Sequence, residues 1–383
     1  MARELACTEV NNITILTIDG TGIRALIPSV ILSFLEFQLQ ELDGKEARIA
    51  DYFDVIGGTS TGGLLAAMLT TPDKNNRPLF AAKDIITFFI EICPKISPPL
   101  RGPLISARMI IKDLFGPRYN GKYFHNLLQT KFGETRISQT LTNLVIHTFD
   151  VKLLHPVVFS TNEGKIDISK DAMVSDICIG TRATPTYLPP HYFQTHDSQG
   201  NPRSFNLIDG AVATNNPAML AVTQVIRKLS KENPEFFPVK PSDYGKFLVI
   251  SLGTGTMKRD KKYSASKAAK WGVLKWLRHN GKSPIVDSFT QASASMVDIH
   301  MTALLRALGS QHNYLRIQEE ELKGNAASMD ISTKKNMGNL VRIGMQLLQK
   351  PLEHGETVAE ALMRYAKILS EERRSRLQKL MCN

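Results

Sequence analysis

Short β-branched runs alternate with longer segments of helical spacing over the first part of the chain. Residues 13–19 and 52–56 are apolar runs of strand length, and each is followed by a glycine-bearing turn. Residues 28–42 place apolar side chains three and four positions apart, and a second helical segment covers residues 64–69. Strand, turn and helix in this repeated order predict an α/β fold in which helices cover a parallel sheet.

The pattern continues less regularly in the rest of the chain. Further strands are predicted for five apolar runs, at residues 144–148, 156–160, 205–208, 247–252 and 314–317. Residues 357–380 predict an amphipathic C-terminal helix. Residues 94–118 mix prolines, basic residues and a short apolar run, which indicates a lid or an insertion.

Composition limits the class of protein. The chain has 383 residues, of which 43% are hydrophobic and 22% are charged, as in a folded globular protein. Its four cysteines lie far apart without a C-x-x-C pair, which disfavours a disulfide framework or a zinc–thiolate site and favours a reducing compartment. The first 12 residues lack an apolar signal core and no apolar run reaches 18 residues, so we expect a cytoplasmic chain without a transmembrane helix.

The second glycine-bearing turn carries a candidate nucleophile. Ser60 is the centre of Gly58-Thr59-Ser60-Thr61-Gly62, a G-x-S-x-G motif between a predicted strand and a predicted helix. This is the context of a nucleophile elbow, whose sharp turn leaves little room for side chains at the two flanking glycines. The helix after Ser60 would also direct its N-terminal amides toward a developing oxyanion.

The first turn permits two interpretations. Residues 20–25 (GTGIRA) match the dinucleotide-binding pattern G-x-G-x-x-G/A after a strand. Glu41 and Asp43 follow at about the spacing of a ribose-binding acid, but they end the first predicted helix and not the second strand. The alternative is that the backbone amides of this turn form an oxyanion hole.

A serine nucleophile needs a proton acceptor. None of the nine histidines lies in a local pattern that marks a catalytic base. Asp209 is the better candidate, because it follows the apolar run 205–208 and so lies at the C-terminal end of a strand, where parallel sheets bind ligands. The sequence Asp-Gly is also a common turn, so this pattern alone leaves both interpretations open.

Five segments spread over the chain resemble the patatin-like phospholipases, and the plant patatin group in particular. The resemblance runs from about Ile13 to Leu377 and is most specific in IDGTGIRALIP (18–28), ARIADYFDVIGGTSTGGLLAAML (47–69), PTYLPPHYF (185–193), FNLIDGAVATNNPA (205–218) and SLGTGT (251–256). It implies a three-layer, modified α/β-hydrolase-like fold with a mostly parallel central sheet. Residues 13–220 would form the core, 221–383 the C-terminal part of the same domain, and 1–12 an N-terminal extension.

The resemblance also implies roles for individual residues. Ser60 matches the family's nucleophile, and Asp209 matches the second member of a Ser–Asp dyad that uses no histidine. The family's glycine-rich oxyanion turn and the arginine after it correspond to Gly20, Thr21, Gly22 and Arg24. The implied activity is hydrolysis of acyl esters in phospholipids and galactolipids without a metal or cofactor, in lipid catabolism or plant defence.

Four positions depart from the family's usual pattern. Thr21 and Ala25 replace glycines of the oxyanion turn, and Arg182 and Thr184 stand where small residues are usual. A β-branched residue at position 21 would be strained if the backbone there needed a positive φ. Two hypotheses therefore remain open beside each other, an active enzyme and a weakly active or non-catalytic lipid-binding or storage homologue.

A basic segment at residues 258–282 holds nine lysines and arginines against one aspartate, together with both tryptophans. On one continuous helix, a single basic face would collect Lys267, Lys270, Trp271, Leu274, Lys275 and Arg278. The opposite face would hold Ala269, Val273, Trp276 and Leu277, and it would enter the core if the basic face is only solvated.

The basic face is either only solvated or a patch that binds anionic membranes, with Trp271 at head-group depth. The net charge of +11 indicates an anionic partner. Nucleic acid is disfavoured as that partner, because the sequence contains no recognisable module that combines aromatic and basic residues for this purpose. The expected partners are membrane lipids.

Overall fold

The computed structural model describes residues 12–99, 116–232, 247–257, 263–277, 279, 283–307, 309–352 and 355–382. Within these residues one sheet is formed by β1 (Ile13–Ile18), β2 (Val55–Thr59), β3 (Asn143–Asp150), β4 (His155–Ser160), β5 (His191–His196), β6 (Pro202–Asp209), β7 (Phe247–Leu252) and β8 (Tyr314–Ile317). The strands β8, β7, β1, β2 and β3 lie side by side and run parallel. β4 and β6 pair antiparallel with β3, and β5 pairs antiparallel with β6. The predicted mostly parallel sheet is confirmed.

Helices cover both faces of this sheet. They are α1 (Leu26–Asp43), α2 (Thr61–Thr70), α3 (Ala82–Ile96), α4 (Lys122–Phe132), α5 (Thr161–Ile166), α6 (Val174–Thr181), α7 (Ala218–Glu232), α8 (Ala265–Ala268), α9 (Val273–Leu277), α10 (Pro284–Ala307), α11 (Lys334–Leu348) and α12 (Val358–Cys382). Along β1, Leu16 and Ile18 pack in one core with α1, α2 and α3, whereas Ile15 packs in a second core with α7 and α10. A strand buried on both faces is the centre of a three-layer α/β/α fold, as predicted.

α1 is an interior helix of one of these layers. The span Gly22–Asp43, which includes α1, is long and apolar enough to cross a membrane, but 67% of its apolar window is buried in the protein. α1 packs against α3, α11 and α12. Its Glu36 carboxylate is also buried, and it accepts hydrogen bonds from the amides of Ile49 and Ala82. These contacts are those of a core helix.

The register of β3 brings the ends of two other strands together. One edge of β3 pairs with β4. On the other edge Thr59, the last residue of β2, pairs with His147, and Asp209, the last residue of β6, pairs with Thr148. Because β2 runs parallel to β3 and β6 runs antiparallel, their C-terminal ends meet head to head on adjacent residues of β3. The residue that follows β2 therefore lies beside the residue that ends β6.

Some element boundaries differ from the prediction. β2 begins later than predicted and continues through both glycines to Thr59, because the backbone there pairs with β1 on one side and β3 on the other. β5 escapes prediction because it is a polar edge strand in which only Phe193 and Thr195 are buried. Residues 94–96 complete α3 and do not belong to a lid, and residues 100–115 of that predicted segment lie outside the described residues.

The basic segment does not form one helix, contrary to the prediction. α8 and α9 are separate short helices, and residues 269–272 between them are not helical. Gly272 lies at the break and has a low helix propensity. Val273 and Leu277, which the interpretation of a merely solvated basic face places in the core, are 73% and 53% exposed. No single helical face collects Lys267, Lys270 and Lys275.

The two tryptophans of this segment pack together and not on opposite faces. The ring centroids of Trp271 and Trp276 lie 5.4 Å apart. The Tyr263 ring meets Trp271 edge-on, and the His279 ring packs against Trp271 at a tilt. This aromatic cluster joins α8, α9 and the residues after them into one unit. Arg278 lies outside the described residues, as do residues 258–262 and 280–282.

Candidate active site

Ser60 forms a sharp strand-to-helix turn. β2 ends at Thr59, α2 begins at Thr61, and Ser60 between them has φ 53° and ψ −124°. Residues with side chains rarely adopt this conformation, which costs about 1–3 kcal/mol. The Ser60 amide donates to Thr181 Oγ1 (2.9 Å), and the Thr181 hydroxyl donates to the His147 carbonyl (2.6 Å). A hydrogen-bonded chain thus ties the strained backbone to β3.

Close approaches of the backbone require the two glycines that flank the serine. A Cβ on Gly62 would lie 2.1 Å from the Ile18 carbonyl oxygen, and a Cβ on Gly58 would lie 2.3 Å from the carbonyl carbon of Gly62. Rotation of a side chain could relieve neither contact, because both involve backbone atoms. The positions of Gly58 and Gly62 in the elbow motif match this packing.

Asp209 meets Ser60 at the junction of β2 and β6 on β3. The Ser60 hydroxyl donates a hydrogen bond of 2.7 Å to Asp209 Oδ2, across 149 positions of sequence. Both residues are buried, with 3% and 2% of their surface exposed. The two residues that the sequence singles out by separate arguments are therefore in direct contact.

The Asp209 carboxylate has further polar neighbours. Thr184 Oγ1 donates to Oδ2 at 2.6 Å, the same oxygen that Ser60 contacts, and the Ala211 amide donates to Oδ1 at 2.9 Å. The buried guanidinium of Arg182 also favours the charged carboxylate. Burial outweighs these contacts and raises the pKa of Asp209 above its ordinary value. The carboxylate is therefore a stronger base than a solvated aspartate.

The turn after β1 lies directly against the elbow. A Cβ on Gly20 would be 2.2 Å from the Thr59 carbonyl oxygen and 2.4 Å from Ser60 Cβ. Within the part of the chain that the structure describes, the amides of residues 20–22 have no hydrogen-bond acceptor. Arg24 is buried in the 3-10 turn that follows. Free amides beside a nucleophile are what an oxyanion hole requires.

Thr21 fits this turn without backbone strain. Its φ of −158° is extended, and the left-handed φ of +53° falls on Gly22. The Thr21 hydroxyl donates to the Gly20 carbonyl (2.5 Å) and accepts from Thr254 Oγ1 (2.7 Å). Thr254 lies in the turn directly after β7, so that turn lines the same sheet edge.

The dinucleotide-binding interpretation of residues 20–25 does not match the geometry. A ribose-binding acid should end the second strand. Asp43 instead ends α1, where its carboxylate accepts hydrogen bonds from Tyr52 (2.9 Å) and Ser370 (3.0 Å) and pairs with Arg374 (2.8 Å). The glycine turn faces the elbow and not this acid.

One histidine lies next to the Ser60–Asp209 pair. Burial lowers the pKa of His147 on β3 to about 4, so its imidazole is neutral at physiological pH. A Cβ on Gly210 would lie 2.6 Å from its Nδ1, which places the ring against the turn after Asp209. The elbow contacts the backbone carbonyl of His147, through Thr181, and not its ring. Asp209 therefore remains the base candidate.

The family model described as Patatin-like phospholipase matches residues 16–222, a range that includes the elbow, the glycine turn and Asp209. This chain belongs to the patatin-like phospholipase family. Membership in the patatin-like phospholipases indicates a lipid acyl hydrolase.

Several patatin-like proteins of plants are similar over nearly the whole chain. Patatin-like protein 2 of Arabidopsis thaliana is 53% identical, with 96% of this chain and 93% of the relative covered. Patatin-2-Kuras 3 of Solanum tuberosum is 48% identical, with 96% and 92% covered. The solved structure of VipD from Legionella pneumophila aligns over 93% of this chain and 67% of its own at 10% identity and a TM-score of 0.35. That last likeness is too weak to inform the fold or the site.

Two threonines of this patatin-like site could not be recognised from the sequence as site residues. Thr181 and Thr184 hold the elbow and the carboxylate, and only the departure at position 184 from the usual small residue marks one of them. The membrane-surface candidates lie on or beside α8 and α9, outside the Ser60–Asp209 contact. Of them, Lys267, Lys270 and Lys275 are exposed and Trp271 is partly buried.

Proposed function

We propose that this patatin-like protein hydrolyses acyl esters of phospholipids and galactolipids, a phospholipase A-type activity, with Ser60 as nucleophile and Asp209 as its base. The observation that carries the proposal is the 2.7 Å hydrogen bond from Ser60 Oγ to Asp209 Oδ2, on a strained strand-to-helix turn. The lipid substrate class rests on the family, and so does a role in lipid catabolism or plant defence.

The acylation step follows from this contact. Ser60 Oγ attacks the acyl carbonyl carbon while Asp209 Oδ2 accepts its proton. The carbonyl oxygen becomes an oxyanion, which the amides of residues 20–22 and the N-terminal end of α2 stabilise. Asp209 then returns the proton to the departing alcohol oxygen. The lysolipid leaves, and the acyl group remains as an ester on Ser60.

Deacylation reuses the same carboxylate. A water molecule attacks the acyl carbonyl and gives its proton to Asp209. Collapse of the tetrahedral intermediate breaks the bond to Ser60 Oγ, which recovers the proton. The fatty acid leaves, and the site returns to its starting state. Because one buried carboxylate acts as base in both steps, its raised pKa matters to each.

A serine-reactive fluorophosphonate tests this proposal directly. We expect it to label the wild type and the exposed-serine control Ser204→Ala, and not Ser60→Ala. The wild type should also hydrolyse phosphatidylcholine and monogalactosyldiacylglycerol in the presence of EDTA, and Ser60→Ala should not. Equal labelling or equal turnover of the wild type and Ser60→Ala would refute Ser60 as the nucleophile.

Thr184 is expected to set the acid limb of the activity profile. Its hydrogen bond to Oδ2 lowers the pKa of Asp209, so Thr184→Ala should shift the acid limb of kcat/KM to higher pH. Thr184→Ser keeps a hydroxyl at this position and should retain the wild-type profile. Identical profiles for all three proteins would show that Thr184 does not act on the carboxylate.

A non-catalytic lipid-binding or storage protein is the second candidate, and one observation favours it. Thr184 and Ser60 share the same carboxylate oxygen, and a hydrogen bond to a charged group is worth about 1.5–3 kcal/mol. If that bond suppresses the base, the wild type would bind lipid without turnover. Thr184→Ala would then gain activity, which separates this candidate from an active enzyme.

A further inference from the structure

One face of α10 is apolar and yet exposed. Phe289, Ala292, Met296, Ile299 and Ala303 recur at intervals of three and four residues, so they share one face of the helix. All five are exposed, Phe289 to 70% and Ile299 to 57%. The stripe is about 21 Å long at 1.5 Å per residue. The opposite face of α10 packs against α7 and the sheet. A continuous apolar stripe of this kind marks an interaction surface.

α9 extends this stripe and adds basic residues beside it. α9 packs on α10 and exposes Val273, Leu274 and Leu277 to 73%, 83% and 53%. We call these three residues and the five of α10 the α9–α10 surface. Its neighbours along the chain include three exposed lysines, Lys267, Lys270 and Lys275. Apolar side chains with basic neighbours are typical of segments that lie in a membrane interface.

The α9–α10 surface borders the catalytic turn. Ser293, which flanks the stripe on α10, donates a hydrogen bond of 2.8 Å to the Ala213 carbonyl. α10 also packs against the 3-10 turn Gly210–Val212, which begins directly after Asp209. Val212 in that turn is 50% exposed. A flat partner that covered the α9–α10 surface would therefore lie beside the loop that carries the proposed base.

We propose that the α9–α10 surface is a membrane-docking surface and that its partner is an anionic lipid bilayer. The proposal rests on the lipid hydrolase function proposed above. In a bilayer the apolar side chains would enter the head-group boundary, and the lysines would contact anionic head groups. A second copy of this chain is a poorer partner, because a two-fold interface apposes the same patch and would bring the lysines of both copies together.

Sedimentation with vesicles tests the docking surface. The vesicles contain phosphatidylcholine with phosphatidylserine as the minor component. Both lipids are ether-linked, because ether lipids bind without being hydrolysed. Leu274→Ser/Phe289→Ser should weaken binding about tenfold or more, since two large side chains lose their burial in lipid. Ile166→Ser is the matched control. Ile166 is 78% exposed and follows β4. β4 ends beside Val145, near the start of β3, whereas Asp209 lies beside Thr148, near the end of β3. It should bind as the wild type does.

The lysines should act through charge alone. Lys267→Gln/Lys275→Gln should weaken binding to the phosphatidylserine vesicles by about fivefold for each lysine. Binding to vesicles of phosphatidylcholine alone should not change. All these side chains are exposed, so each variant should melt at the wild-type temperature, which a thermal scan checks.

Two outcomes would overturn the docking surface. The first is that the double variant Leu274→Ser/Phe289→Ser binds vesicles as tightly as the wild type does. The second is that the wild type is a dimer and the double variant a monomer, while both bind vesicles equally. Hydrolysis of a soluble short-chain ester tests the hydrolase function without a membrane, so it distinguishes a failure of the docking proposal from a failure of the proposed function. A wild type that cleaves this ester and binds no vesicles refutes docking only. A wild type that binds vesicles through this surface and cleaves no ester refutes the hydrolase function only.

Discussion

The Asp209→Asn variant should lose about 10³-fold in hydrolysis, within the range that general bases contribute, and should melt at a higher temperature than the wild type near neutral pH. The asparagine side chain fits the same space, and the hydroxyls of Ser60 and Thr184 can accept from its amide where they now donate to the carboxylate. What disappears is the buried charge. The same substitution thus removes the proposed base and the cost of burying its charge.

The sign of the stability effect follows from the pKa. Burial raises the pKa of Asp209 in the folded protein above the value of about 3.9 in the unfolded chain. Between these two values the folded protein binds more protons, so its stability falls as the pH rises through this window. Above the pKa of the folded protein the loss of folding stability reaches its full size. It amounts to about 1.4 kcal/mol for each pKa unit between the folded and the unfolded value. The advantage of Asp209→Asn should therefore be largest above the pKa of the folded protein and vanish below the unfolded value of about 3.9.

Ser60→Ala is the matched control for this experiment. It should be inactive as well, but it keeps the buried carboxylate and removes one of its hydrogen-bond donors, so it should not be stabilised at high pH. Melting temperatures across the pH range and kcat on one lipid substrate complete the comparison. Wild-type activity in Asp209→Asn would exclude this residue as the base. Parallel melting curves over pH would contradict a raised pKa.

Gly58→Ala should unfold at a much lower temperature than Gly57→Ala, although the two glycines are neighbours on β2. A Cβ on Gly58 would lie 2.3 Å from backbone atoms of Gly62, and only a shift of β2 or α2 could relieve that contact. We expect a loss of about 3 kcal/mol or more, with a melting temperature lower by about 4 °C or more. Activity should fall with it, because the shift displaces Ser60 from Asp209.

Gly57→Ala provides the internal control. Its Cβ would point to the other face of β2, where its nearest neighbours are Ala221 Cβ at 3.5 Å and Thr17 Cγ2 at 3.6 Å, both ordinary contacts. This variant should keep its melting temperature and its activity, since alanine is also easier to order in a strand than glycine. Thermal scans and lipid hydrolysis on the two purified variants decide the matter. Similar losses in both would mean that the elbow does not depend on this contact.

The sheet could be predicted from the sequence where strands are buried on both faces. This holds for β1 and β7 and for β8, which pairs with β7. The apolar runs predicted for these three strands match the observed bounds closely. β5 could not be predicted, because an edge strand with one solvated face lacks a continuous apolar run. The split of the basic segment into α8 and α9 was also hidden, since helical spacing alone does not reveal where a helix stops.

The site residues could be predicted only as separate motifs. Ser60 and Asp209 each follow from a local signal, a G-x-S-x-G elbow and an acid at a strand end. Their contact depends on the head-to-head junction on β3, which is a property of strand register and has no local signal. Thr181 and Thr184 are also set by register and packing. Threonine occurs in many structural roles, so the residue type alone does not indicate a contact with Ser60 or Asp209.

The junction of β2 and β6 on β3 has a consequence for biosynthesis. Ser60 leaves the ribosome long before Asp209, and a contact across 149 positions forms late in folding. Until β6 docks, the chain carries an ordinary hydroxyl and a solvated carboxylate with a pKa of about 3.9. A chain in which β6 has not docked lacks the Ser60–Asp209 contact, so we expect it not to hydrolyse acyl esters. The proposed hydrolysis would therefore require the finished sheet.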